Sequence, residues 1–145
     1  MIIRSGSKSL TFDIYDYQYE KQKSKEKGYD YDANWLIVEI TYADENGPKQ
    51  YRDPCLLTYE LKELIDGASE IVSGKETLYI SDFMEPYLKI AIAKTEDNIV
   101  FGMEFVYDTT DGIWKCHKLS EVLSKESAQK IIEELKALFN RFPER

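Results

Sequence analysis

Apolar and polar side chains alternate along several stretches of the chain, most cleanly from Trp35 to Tyr42. In extended backbone, Leu36, Val38, Ile40 and Tyr42 share one face, and Ile37, Glu39 and Thr41 the other. This period of two marks a strand with one face in a core, and Trp, Ile and Val suit a pleated, half-buried surface. The residues just before it, Tyr29-Asp30-Tyr31-Asp32-Ala33-Asn34, are polar. Asp32 and Asn34 have short side chains that bond nearby backbone groups, so they are expected to be structural, shaping the turn that leads into Trp35.

The pattern extends in both directions. Leu10, Phe12 and Ile14 alternate with Thr11, Asp13 and Tyr15, which predicts a strand over Leu10 to Tyr19. Its second half changes phase, because Tyr15, Tyr17 and Tyr19 lie opposite Phe12 and Ile14. Either a bulge swaps the faces or a tyrosine ladder faces outward, and the bulge is the simpler reading. Glu20 to Gly28 reads as a charged, mobile connection. After the Trp35 strand, Asn46-Gly47 signals a type I′ hairpin. The return strand, Lys49 to Leu57, contains Pro54, which points to an edge position or to the strand's end.

A helix follows, with Thr58 as N-cap, Glu60 in its first turn and Gly74 just past its end. Leu61, Leu64, Ile65, Ala68 and Ile71 form its apolar stripe, and Gly67 should weaken it by about 1 kcal/mol relative to Ala. Four strands are then predicted: Thr77 to Ile80, Leu88 to Ala93, Ile99 to Tyr107 and Ile113 to Leu119. The Ile99 strand, the most apolar, is expected to be central. The last helix begins near Ser124, runs to about Phe142, and stops at Pro143. No internal repeat is visible. The order β-β-β-α-β-β-β-β-α predicts an α+β fold, with a single twisted, mainly antiparallel sheet of about seven strands and the two helices on one face.

Length and charge narrow the function. A chain of 145 residues is expected to form a single domain over residues 1–145 with its own core. The net charge of −8 argues against non-specific nucleic-acid binding, which needs a basic surface; it favours solubility, for which alone many cytosolic proteins are acidic, and it would attract a basic partner. No apolar run reaches the roughly 20 residues of a membrane span, and Met1 to Leu10 lacks a signal-peptide pattern. A cytosolic protein without membrane contact is expected, with Cys55 and Cys116 as buried free thiols.

The candidate chemistry is sparse. His117, the one histidine, adjoins Cys116, but neighbouring strand residues point to opposite faces. One His and two separated Cys fall short of a structural zinc site. Paired carboxylates occur at Asp30 and Asp32, Asp108 and Asp111, and Glu133 and Glu134. Such pairs can hold Mg²⁺ or transfer protons, but in polar turns they more often cap or solvate. No catalytic constellation, metal site or cofactor motif is read.

The stretch Tyr31-Asp32-Ala33-Asn34-Trp35-Leu36 resembles a hallmark of the WapI-type immunity proteins. Leu56-Leu57-Thr58, the glycine-ended helix before Glu76 to Ile80, and the closing helix at Phe142-Pro143 are similar to the same family pattern. The resemblance implies a small cytosolic protein that protects bacteria from the toxic C-terminal domain of a secreted wall-associated polymorphic toxin. It implies no catalysis and no cofactor. It implies a toxin-domain partner, often a nuclease with a basic surface, and a protein that is monomeric when free. Exposed acids and aromatics would make the contact, with Asp13, Tyr15, Tyr17, Asp30, Tyr31 and Trp114 as candidates, and Asp32, Asn34 and Trp35 as the structural motif. The competing reading is a small-molecule-binding or enzymatic α+β domain, which a concave apolar pocket with convergent polar groups would favour.

Overall fold

The computed structural model describes residues 1–20 and 30–145. From Lys21 onward, the connection expected at Glu20 to Gly28 lies outside the described residues. The elements run β1 (Ile2–Ser5), β2 (Lys8–Tyr17), α1 (Tyr31–Asn34), β3 (Trp35–Asp44), β4 (Gly47–Leu57), α2 (Thr58–Ser73), β5 (Leu78–Ile80), β6 (Leu88–Lys94), β7 (Ile99–Asp108), β8 (Lys115–Leu123) and α3 (Lys125–Arg141). The strands form two antiparallel four-stranded sheets, ordered β1-β2-β3-β4 and β5-β6-β7-β8. Each is a meander closed by a long helix, so the order of elements repeats although the residues do not.

The α+β class and antiparallel pairing agree with the sequence reading, but the single sheet does not. Strands of two sheets that share one core alternate just as strands of one sheet do, so periodicity cannot distinguish them. The helices do not cover one face of one sheet either. They pack on each other, and α2 also touches β4, β5 and β6. β1 is too short to show alternation, and α1, at 4 residues, is too short for a helical stripe. β8 starts later than expected and continues to Leu123, leaving Ile113 and Trp114 in an exposed turn.

The inner faces follow the parity of the sequence. Leu10, Phe12, Leu36, Val38 and Ile40 from the first sheet, and Ile90, Ile92, Phe101 and Phe105 from the second, join α2 and α3 in one core. β2 does carry a bulge, between Ile14 and Asp16. It leaves Tyr15 outside and returns Tyr17 to pack edge-on against Phe142, with centroids 5.5 Å apart. β7 lies inside its sheet and β4, with Pro54, at an edge. The β3–β4 hairpin is not type I′. Asp44 pairs with Gly47, and only Gly47, at φ 95°, has positive φ there, so Asn46 does not adopt it.

The sheets meet along β8. The Arg4 amide on β1 donates to Glu121 at 2.8 Å, whereas Tyr42 on β3 and Tyr51 on β4 reach His117. Successive strands of the first sheet therefore run across β8. No helix among the described residues is long and apolar enough to cross a membrane.

Candidate functional site

The shared motif folds into a corner centred on a buried amide. The Asp30 side chain caps α1 by accepting from the Ala33 amide at 3.1 Å. Asn34, the last residue of α1, is fully buried. Its Nδ2 donates to the Asp30 carbonyl at 2.7 Å and to the Arg145 carbonyl at 3.2 Å. Its Oδ1 accepts from the Arg145 amide at 2.8 Å and from the Thr58 hydroxyl at 2.9 Å. An amide has two donors and one oxygen with two lone pairs, so Asn34 uses its full capacity. It ties together α1, the start of α2 and the segment after α3.

Asp32 points outward, beside Tyr19, Asp30 and Ala33 in a surface depression. Trp35 begins β3 at intermediate burial, paired with Leu57. Thr58 is the first residue of α2 rather than its cap, and Leu57 holds the cap position. The helix-start role instead falls to Glu60, whose buried carboxylate accepts from the Leu57 amide at 2.8 Å and the Met84 amide at 2.5 Å. Burial raises its pKa, and the two amides oppose that rise.

The expected contact residues do not form one patch. Tyr17 lies under Arg145, whose guanidinium sits 3.3 Å from the ring centroid, and its hydroxyl donates to the Pro143 carbonyl. Asp30 and the exposed Tyr31 flank the same corner. Asp13 is engaged by Arg141 at 2.7 Å. Tyr15 is exposed, with Arg52 stacked 3.6 Å above its ring centroid. Trp114 lies elsewhere, on the β7–β8 turn, stacked against Tyr87.

Sequence reasoning missed an aromatic stack between the sheets. His117 lies flat on Tyr42, centroids 3.8 Å apart and planes within 7°, and against Tyr107 at 4.4 Å. Tyr51 shares a hydrogen bond with its Nε2 at 3.2 Å. Burial, with the charge of Lys49, lowers the His117 pKa. Parity did place His117 and Cys116 on opposite faces, but the rings meet across two sheets, which no local pattern encodes. Cys116 is exposed, contrary to expectation, because it lies on the outer face of β8 with Lys118, Ser120 and Val122, whereas Cys55 is buried at the β4 bulge.

The carboxylate pairs carry local roles. Lys115 bridges Asp108 at 3.0 Å and Asp111 at 2.8 Å. Among the described residues, no group of three or more His, Cys, Asp and Glu is placed to hold a metal ion. The outer face of the second sheet bears a depression of about 340 Å³ over Ile80, Ala91, Gly102 and Ser120. Three charged residues line it, Lys89, Glu104 and Lys118, of which Lys118 and Glu104 pair with each other at 3.2 Å.

A family model described as the immunity protein WapI-like family matches residues 1–143. No curated protein matches the chain. Among solved structures, the crystal structure of WHY3 from Arabidopsis thaliana is similar at 10% identity, covering 98% of this chain and 86% of that one, with a TM-score of 0.49. At that score the likeness carries no argument.

Proposed function

The chain belongs to the WapI-like immunity protein family, and from that premise we propose that it binds and neutralises the C-terminal toxin domain of a secreted bacterial polymorphic toxin. The observation that carries this reading is the extent of the family match, residues 1–143, which takes in every sheet and helix among the described residues. Neutralisation here is by tight binding and involves no catalysis. The protein acts in the cytoplasm as a single domain, monomeric when free, and uses no cofactor, nucleic acid or membrane. The partner is a basic toxin domain, with a nuclease as the favoured kind, since the net charge of −8 would speed encounter with a cationic surface.

The motif corner supports a structural role for Asn34, because its polar atoms are already occupied within the fold. Contact falls instead to exposed and partly exposed groups, drawn from Asp13, Tyr15, Tyr17, Asp30, Tyr31 and Trp114. The test is co-expression with the C-terminal domain of the toxin encoded beside this chain. Restored growth is expected. Continued killing, with the immunity chain soluble and abundant, would reject the proposal for that pair.

A further inference from the structure

The β7–β8 turn and the segment before β6 form a surface that the motif corner does not include. Trp114 is 53% exposed and Ile113 67%, and Trp114 stacks on Tyr87 with centroids 6.1 Å apart. A bulge in β7 interrupts the ladder at Tyr107. That ring is 39% exposed and is backed by His117, which is itself backed by Tyr42. Tyr87 and Tyr107 border a cleft of about 280 Å³, whose lining includes Asp53, Val106, Asp108 and Thr110.

The cleft is acidic and short of cations. Asp53 is half-buried, and its carboxyl is pushed up by burial and by the nearby Glu85 carboxylate. Among the described residues, neither Asp53 nor Glu85 forms an ion pair. Lys115 is shared between Asp108 and Asp111, and no cation is among the groups that act on Asp53.

We propose that this cleft is the docking point for a basic protein partner, taking an arginine side chain against the Tyr87 and Tyr107 rings and onto Asp53, with Trp114 as the flanking anchor. The inference rests on the toxin-binding reading for the identity of the partner. A guanidinium stacks on aromatic faces and pairs with carboxylates through a planar fork. A half-buried carboxylate already held beside another gains more from a cation than a solvated one does. The Tyr107 ring is fixed from behind by His117 and Tyr42, so little of its side-chain freedom remains to be lost on binding. Trp, Tyr and Arg are the residues that dominate interface energies.

The test uses the full chain and an inactive variant of the neighbouring toxin domain, titrated by calorimetry. Asp53→Asn and Trp114→Ala should each weaken binding by about tenfold or more at unchanged melting temperature. Val122→Ser, on the outer face of β8, should stay within about twofold. If the wild-type complex forms and both cleft variants bind as tightly as wild type, the docking site is wrong and the toxin-binding reading stands. If no complex forms, that reading fails for the pair, and N-acetyl-arginine amide followed by NMR decides the cleft alone. Shifts at the Trp114 indole and the Thr110 amide, lost in Asp53→Asn and absent with the citrulline analogue, would uphold it. No shifts at those positions would overturn it.

Discussion

Replacing Gly67 by alanine separates two physical arguments that differ in sign. Gly67 lies inside α2, where alanine is favoured over glycine by about 1 kcal/mol. By helix propensity alone, Gly67→Ala stabilises. The structure predicts the reverse, because the Tyr79 ring of β5 lies directly on the helix backbone at this point. A Cβ at Gly67 would sit 2.3 Å from Tyr79 Cδ2, 2.6 Å from Cε2 and 2.9 Å from Cγ. Carbon atoms pack at about 3.5–4.0 Å, so the ring must retreat by about 1 Å or more, against the helix and the β5–β6 pairing that hold it. Overpacking of this kind costs about 1–3 kcal/mol, which exceeds the propensity gain at all but its lower end. The expected net loss is about 0–2 kcal/mol, read as a lower urea midpoint at unchanged slope. Tyr79 supplies a second readout. Burial and the Glu63 carboxylate push its phenol up to about 12, and a displaced ring should titrate closer to the ordinary tyrosine value. In a Tyr79→Ala background the clash is absent, and Gly67→Ala should then stabilise by about 1 kcal/mol. A wild-type background in which Gly67→Ala raises the midpoint would refute the close-approach argument.

Asn34→Ala should cost about 2–3 kcal/mol, since it leaves the Asp30 carbonyl and the Arg145 amide without this partner and removes the acceptor of the Thr58 hydroxyl; an unchanged melting temperature with lost toxin binding would instead make Asn34 a recognition residue. His117 is held neutral by its surroundings, so the unfolded chain binds more protons just below the free-histidine pKa of about 6.5. Stability should therefore be present above that pH and fall as the solution is acidified through it, and His117→Gln should flatten this part of the urea-midpoint profile. Asp108 is held down at about 2 by the Thr110 amide and hydroxyl and by Lys115. Its contribution should be full above the ordinary carboxylate pKa of about 3.9, decline progressively below it, and be lost as pH falls through about 2; a Thr110 amide resonance that shifts with a midpoint near the ordinary value would contradict the loop geometry.

Much of the fold was legible because burial leaves a period in the sequence. Leu36, Val38 and Ile40 announced β3, the phase change at Tyr15 announced the bulge, and Pro54 announced an edge or a strand's end. Division into two sheets was not legible, because pairing partners leave no mark in a strand's own alternation. Gly67 read as a local defect, since the Tyr79 ring that requires it comes from a different element. The motif could be read as polar and turn-forming, but the roles within it were redistributed. Asp30, not Asp32, caps α1, and Asn34 reaches Thr58 and Arg145, which are distant in sequence. The aromatic and acidic groups around Trp114 were invisible as a set, because Asp53, Tyr87 and Tyr107 come from three separate segments. Only Trp114 stood out, as a candidate contact residue placed within the predicted Ile113 to Leu119 strand.

The central claim is that this chain neutralises a toxin domain by binding it. Its most direct test is purified toxin domain, encoded by the neighbouring gene, mixed with increasing amounts of this protein, with residual toxin activity and complex mass followed together. The account predicts loss of activity that is complete at one equivalent, a one-to-one complex on gel filtration, and slower association as salt rises with a smaller change in dissociation. Full toxin activity at excess protein, with the two species eluting separately, would contradict it.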